Sequence, residues 1–140
     1  MYIKEIEYKD YNGLDCKTKL YFNLNEAELT KMQFKRGGGY QEYLKRIVDS
    51  NDIEEIAYIF DELLMMAYGV KSDDGKRFEK TDKIREEFRQ SEAYSVYYMM
   101  LLTDADEAAR FVDQILPRNI ADAVRKAKED MANKENMANN

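Results

Sequence analysis

The chain has 140 residues and contains no histidine, no tryptophan, one cysteine and one proline. Without histidine, Ser-His-Asp and Cys-His nucleophile pairs are excluded, as is imidazole acid–base chemistry. One cysteine and no histidine cannot supply the nitrogen and sulfur ligands of a structural zinc site. No disulfide can close within the chain, and Cys16 alone fits a reducing cytosol. Positive charge is short as well: 22 Lys and Arg stand against 28 Asp and Glu, a net charge of −6 at pH 7. That balance argues against nucleic acid as a partner, because neutralising phosphates needs a cationic face. Long apolar runs are missing too. The most apolar stretch, Ala93 to Leu102, is about half the ~20 residues of a spanning helix and is interrupted by Ser95. Lys4, Glu5 and Glu7 near the N-terminus leave no room for the apolar core of a signal peptide. A soluble, cytoplasmic protein without a membrane partner is the expectation.

What is present reads as mainly helical. Hydrophobic residues make up 44% and charged residues 36%, a balance typical of helices with one apolar side and one solvated side. Only Pro117 interrupts them by ring chemistry. The exception is the N-terminus, where Ile3 to Asp10 and Leu14 to Leu24 are strand-like and flank Asn12-Gly13. A two-residue turn would set Cys16, Thr18, Leu20 and Phe22 opposite Lys9, Glu7, Glu5 and Ile3, mixing apolar and charged positions. A three-residue loop, Tyr11-Asn12-Gly13, sets the same four opposite Tyr8, Ile6, Lys4 and Tyr2. This second register makes the more coherent face and puts Gly13 where a G1 bulge needs φ > 0. A lone hairpin is marginal in water, so its face should pack on helices or on strands of another subunit.

Asn25-Glu26-Ala27-Glu28 is a capping-box-like start for a helix to about Phe34. Gly37-Gly38-Gly39 breaks it, and Tyr40, Tyr43, Leu44, Ile47 and Val48 form a helical stripe. Ser50-Asn51-Asp52 caps a helix carrying Ile53, Ile56, Ala57, Phe60, Leu63, Leu64 and Ala67, which ends at Gly69. Lys71 to Lys80 is polar, with a turn at Asp73-Asp74-Gly75. Thr81 or Asp82 caps a short helix to about Arg89, and Ser91 caps one from Glu92 to Leu102 that is apolar almost all round and so central. After Thr103-Asp104 comes a narrow small-residue stripe, Ala105, Ala108, Ala109, Val112, Ile115 and Leu116, ending at Pro117. The expected fold is mainly α: a hairpin over residues 1–24 and a compact multi-helix bundle over 25–117, forming one domain over 1–117. Residues 118–140 read as a weak helix (Ile120, Ala123, Val124, Ala127, Met131) and a flexible tail that is disordered beyond Asn133.

Candidate chemistry is thin. Gly37-Gly38-Gly39 beside Lys35 and Arg36 suggests a phosphate loop, but no strand feeds it and the GK[ST] ending is missing, so a helix-to-helix joint is the plainer reading. Gly69 to Lys76 has five residues between its glycines and Arg77 in place of the Mg²⁺-holding Ser/Thr. As an EF-hand, the same stretch would begin on Val70 and end on Thr81, neither a carboxylate. Asp61-Glu62, Asp73-Asp74 and Asp104, Asp106 and Glu107 are acid clusters suited to Mg²⁺ or acid–base work. Solvated faces and helix N-termini account for them as well. With no site apparent, neither cofactor nor metal is expected. The unusual feature is 11 Tyr and 8 Met, with doublets Met65-Met66 and Met99-Met100 and the pair Tyr97-Tyr98. Two adjacent methionines widen a helix's apolar arc, which either thickens a core or leaves a soft surface for a partner helix. Met65, Met66, Tyr97, Tyr98, Met99 and Met100 are therefore the candidate partner-binding residues.

Read in order, several strings resemble the tail assembly chaperones of long-tailed phages and prophages of Gram-positive bacteria. They are Glu7-Tyr8-Lys9-Asp10-Tyr11-Asn12-Gly13, Tyr21-Phe22-Asn23-Leu24-Asn25-Glu26-Ala27-Glu28-Leu29, Tyr68-Gly69-Val70-Lys71-Ser72-Asp73-Asp74-Gly75-Lys76-Arg77-Phe78, Ser91-Glu92-Ala93-Tyr94 and Leu102-Thr103-Asp104-Ala105. The resemblance spans about Tyr2 to Pro117. It implies a non-enzymatic protein that binds the tape measure protein, keeps it soluble and helps recruit tail tube subunits, with self-association expected. It also implies action in the host cytoplasm, absence from the finished virion and, in many members, a longer frameshifted form. Two other readings stay open on the residues alone: a small carboxylate/Mg²⁺ enzyme and a helical protein-binding regulator.

Overall fold

The computed structural model describes residues 1–35 and 52–138. Strand β1 (Tyr2–Lys9) and strand β2 (Asp15–Phe22) pair antiparallel with Tyr2, Lys4, Ile6 and Tyr8 opposite Phe22, Leu20, Thr18 and Cys16. This is the register of the three-residue loop. Gly13 has φ 79° and its N–H donates to the Asp10 carbonyl at 2.9 Å, while the Asp10 N–H donates to the Leu14 carbonyl at 2.9 Å. The Asp10 carboxylate accepts the N–H groups of Asn12 and Leu14, which holds its pKa below the usual range. On the outer face, Lys17 bridges Glu5 at 3.1 Å and Glu7 at 3.7 Å, so the charged positions neutralise one another across the strands.

The hairpin does not remain alone. Helix α1 (Glu26–Lys35) starts at the reciprocal Asn25–Glu28 capping box, and helix α2 (Ile53–Ala67) starts at Asp52, whose carboxylate accepts the Glu54 N–H. Helix α2 ends at Ala67, before Gly69, because the next residues become strand β3 (Tyr68–Lys71), paired with β2. Strand β4 (Phe78–Glu79) completes a sheet of order β1-β2-β3-β4. The polar reading of Lys71 to Lys80 therefore holds only for the turn, where Gly75 has φ 74° and Ser72 Oγ, Asp74 and the Arg77 N–H interlock. Gly69 marks the closest approach within the sheet. A Cβ there would lie 2.7 and 2.9 Å from two Phe78 ring atoms and 3.0 Å from the Glu79 carbonyl oxygen. Gly69→Ala is expected to destabilise the fold by about 1–3 kcal/mol, read from urea denaturation at unchanged m value.

Helix α3 (Asp82–Arg89), helix α4 (Glu92–Thr103) and helix α5 (Ala105–Ile115) begin at Thr81, Ser91 and Asp104, whose side chains accept the expected first-turn N–H groups. Helix α6 runs Arg118–Ala138, past Asn133, where the sequence suggests an unstructured end. Arg118 and Arg125 tie it to Asp113 of α5 at 3.3 and 3.4 Å. The Gly37-Gly38-Gly39 break, the Tyr40–Val48 stripe and the Ser50-Asn51 start lie outside the described residues.

The core forms between the sheet and α2 to α5. Phe22 sits at its centre, with ring centroids 5.3 Å from Phe111, 5.4 Å from Tyr97, 5.9 Å from Tyr68 and 6.0 Å from Phe88. Two details depart from the helical stripes. Ile53 is exposed because it opens α2, before the helix reaches the core. In α5 the buried side carries Glu107, Phe111, Val112 and Ile115, while Ala105 and Ala109 face out. Phe111 lies one turn beyond Glu107, so burying the ring carries the carboxylate inward with it.

Candidate partner-binding surface

Helices α2 and α4 lie side by side and antiparallel. The Tyr94 hydroxyl donates to the Asp61 carboxylate, and one turn further the Tyr98 hydroxyl donates to the Ala57 carbonyl at 3.3 Å. Arg89 meets the same Asp61 at 3.6 Å, and Tyr94 and Tyr98 stack 5.6 Å apart. Burial raises the hydroxyl pKa of both tyrosines, and the Asp61 charge raises it further, so both remain neutral donors.

This register sorts the six residues singled out in the sequence. Tyr97 is 0% exposed and its hydroxyl donates to Glu107 at 2.9 Å, and Met65 is buried beside the end of α2. Met66, Tyr98 and Met100 are partly buried against the core. Met99 is 51% exposed. The two methionine doublets are not brought together: Met65 falls opposite the start of α4 and Met100 near its end, roughly 15 Å apart along the helix. Two helices packed side by side leave a groove along their outward side, and α2 and α4 do so here. Half-buried Tyr98 and Leu102 and exposed Met99 stand on α4, and Tyr58, 61% exposed, stands on α2; Ile53, 64% exposed, lies about 140° round α2 from Tyr58 and so belongs to a different side of the helix. Sequence reasoning passed over Tyr58, while it placed Ile53 in the apolar stripe of α2 and Leu102 at the end of a helix apolar almost all round. The available signal for Tyr58 is an aromatic residue among Glu54, Glu55, Asp61 and Glu62, off the helix's apolar stripe.

The acids proposed for metal or acid–base work do not converge. Asp61 is engaged by Tyr94 and Arg89 in the middle of the α2–α4 pair. Asp104 accepts the Asp106 and Glu107 N–H groups at 3.1 Å each, ten residues along α4 from Tyr94. Glu107 is 2% exposed and accepts from Tyr2 at 2.7 Å, Tyr97 at 2.9 Å, Lys4 at 3.3 Å and Arg110 at 2.6 Å. It is thus a buried joint between β1, α4 and α5, and not a solvated helix-terminal acid. A second joint is Lys80, which donates to the Asn23 carbonyl at 2.6 Å, Glu28 at 2.6 Å and the Met66 carbonyl at 2.9 Å. With Arg85, which donates to the Met65 carbonyl, it caps the C-terminus of α2, whose own last turn has no basic residue. Burial lowers the Lys80 pKa, and Glu28 opposes that shift. Among the described residues, no three acidic or cysteine side chains gather as a metal-binding group, and no helix is long and apolar enough to cross a membrane.

No curated protein and no solved structure matches the chain. A family model described as phage tail assembly chaperone matches residues 1–140, the whole chain. By that match the chain belongs to the phage tail assembly chaperone family and has a chaperone role in tail assembly.

Proposed function

We propose that the chain binds an apolar helix of the tape measure protein in the α2–α4 groove, keeps that client soluble and releases it as tail tube subunits assemble. The observation that carries this reading is the outward side of α4. A helix apolar nearly all round should be covered on every side, yet Met99 faces solvent with Tyr98 and Leu102 beside it. A tape measure helix presents an apolar stripe that aggregates when uncovered, and a groove of Met and Tyr adapts to such a stripe without demanding one sequence. The work is binding and release, without catalysis, in the host bacterial cytoplasm, and the protein is absent from the mature virion. The edge strand β1 is the part of the sheet suited to self-association or to a tube subunit.

The test is co-purification with the tape measure protein. Met99→Asp places an unpaired charge where the client would bury it, and is expected to weaken binding by on the order of 2 kcal/mol, roughly 30-fold. Because Met99 is exposed, the variant's own stability should stay within about 0.5 kcal/mol of the parent. Unchanged co-purification by the folded variant would remove this groove from the client site.

A further inference from the structure

Strand β1 is the outer strand of the sheet, and all eight of its residues pair with β2 without a bulge or a proline. The loop bonds among Asp10, Gly13 and Leu14 aim the backbone groups of the even-numbered residues at β2. Those of Ile3, Glu5, Glu7 and Lys9 therefore point away from the sheet, and among the described residues no strand meets them. Helix α4 runs antiparallel along β1, from Glu92, which meets the Tyr11 side chain, to Tyr97, which shares Glu107 with Tyr2. The Phe88 ring lies 3.9 Å from Tyr68 of β3 and 5.5 Å from Tyr94, so the Tyr94–Tyr98 flank of α4 looks inward over the sheet. Val96 and Met100 each lie two residues further on, about 160° round the helix. They look outward past β1, and both are only half-buried.

We infer that a second copy of this chain adds its β1 antiparallel to this edge, on a two-fold axis through Glu7, joining the two sheets into one. The inference deepens the reading of β1 as an association edge and names its occupant. The register follows from the outward row Ile3, Glu5, Glu7 and Lys9. An axis at Ile6 sets Glu5 against Glu7 twice, and one at Glu5 sets that acid against itself. An axis at Tyr8 shortens the ladder into the turn. An axis at Glu7 sets Glu5 against Lys9 twice, and the one like-charge meeting, Glu7 with its copy, has Lys17 at 3.7 Å from each. The helices agree with this choice. Met100 stands about 12 Å along α4 from Glu92, and Glu7 about 13 Å along β1 from Tyr11. Met100 thus lies over the axis, where the apolar flank of α4 meets its own copy.

The experiment measures the dissociation constant of the full chain by sedimentation equilibrium. The parent should be a dimer. Glu7→Pro removes an N–H that makes no bond to β2, so circular dichroism should stay native while the dimer weakens roughly 30-fold. Glu5→Lys or Lys9→Glu alone should weaken it about tenfold, and the two together should restore it to within about threefold. Amide exchange at Glu5, Glu7 and Lys9 should slow as concentration carries the parent into the dimer. A parent that is monomeric at its highest soluble concentration would overturn the inference, as would a dimer untouched by Glu7→Pro. If Glu7→Pro fails to fold, the paired reversal decides, and failure to restore the dimer overturns the register. A monomeric chain that still co-purifies with the tape measure protein would sink this inference and leave the client groove standing.

Discussion

Replacing Glu107 by Ala should lower the unfolding free energy by about 3–5 kcal/mol and the melting temperature by about 10–20 °C. The substitution removes the acceptor of Tyr2, Tyr97, Lys4 and Arg110 at once. It strands the Tyr97 hydroxyl, which has no path to solvent, and cuts β1 loose from α4 and α5. Glu107→Gln keeps the volume and one carbonyl acceptor, so it should cost less. The pH dependence follows with a definite sign. Burial on its own would raise the Glu107 pKa, but hydrogen bonds from Tyr2, Tyr97 and Lys4 outweigh it and hold the carboxyl below its ordinary value. Its contribution is therefore present above the ordinary carboxylate pKa and lost as pH falls through the depressed folded value. Burial raises the Tyr97 hydroxyl, as does Glu107, so the tyrosine's contribution is full below its ordinary pKa and lost as pH rises beyond it. Denaturation midpoints measured across pH should fall on both flanks in the parent and show a flatter acid limb in Glu107→Gln. An unchanged acid limb would mean that the joint contributes no net stability.

Phe22→Ala should cost about 3–5 kcal/mol, because the ring is fully buried and touches Tyr68, Phe88, Tyr97 and Phe111. The cavity would open where the sheet meets three helices, so little can collapse into it. Ile3, on the outer face of the same hairpin and half exposed, provides the control: Ile3→Ala should stay within about 1 kcal/mol. With no tryptophan in the chain, unfolding is best followed by far-ultraviolet circular dichroism or tyrosine fluorescence. Similar losses for the two substitutions would contradict the placement of the core on one face of the sheet.

Local physics was legible in the sequence and long-range placement was not. The β1–β2 register followed from asking which loop length keeps one face apolar, and Gly13 takes the positive φ that this choice requires. The starts at Asn25, Asp52, Thr81, Ser91 and Asp104 followed from side-chain acceptors beside unpaired N–H groups. Strands β3 and β4 escaped because Tyr68-Gly69-Val70 is too short to show a period of its own and is extended only by pairing with β2. Glu107 read as a helix-terminal acid because its donors Tyr2, Lys4 and Tyr97 come from β1 and α4, distant in sequence or on another helix. The Met and Tyr doublets show the same limit. Composition and spacing marked α4 as apolar all round, but only the antiparallel register with α2 sends Tyr97 inward and Met99 out.

The measurement that bears most directly on the client site is photocrosslinking in cells that co-express the chain with the tape measure protein. A benzophenone side chain is placed at Tyr58, at Met99 or at Glu7, all exposed positions. Crosslinks to the tape measure protein should form from Tyr58 and Met99 and be weak or absent from Glu7 on the outer face of the hairpin. Crosslinks from Glu7 alone, or none from the groove while the tape measure protein stays soluble, would contradict the assignment of the α2–α4 groove as the client site.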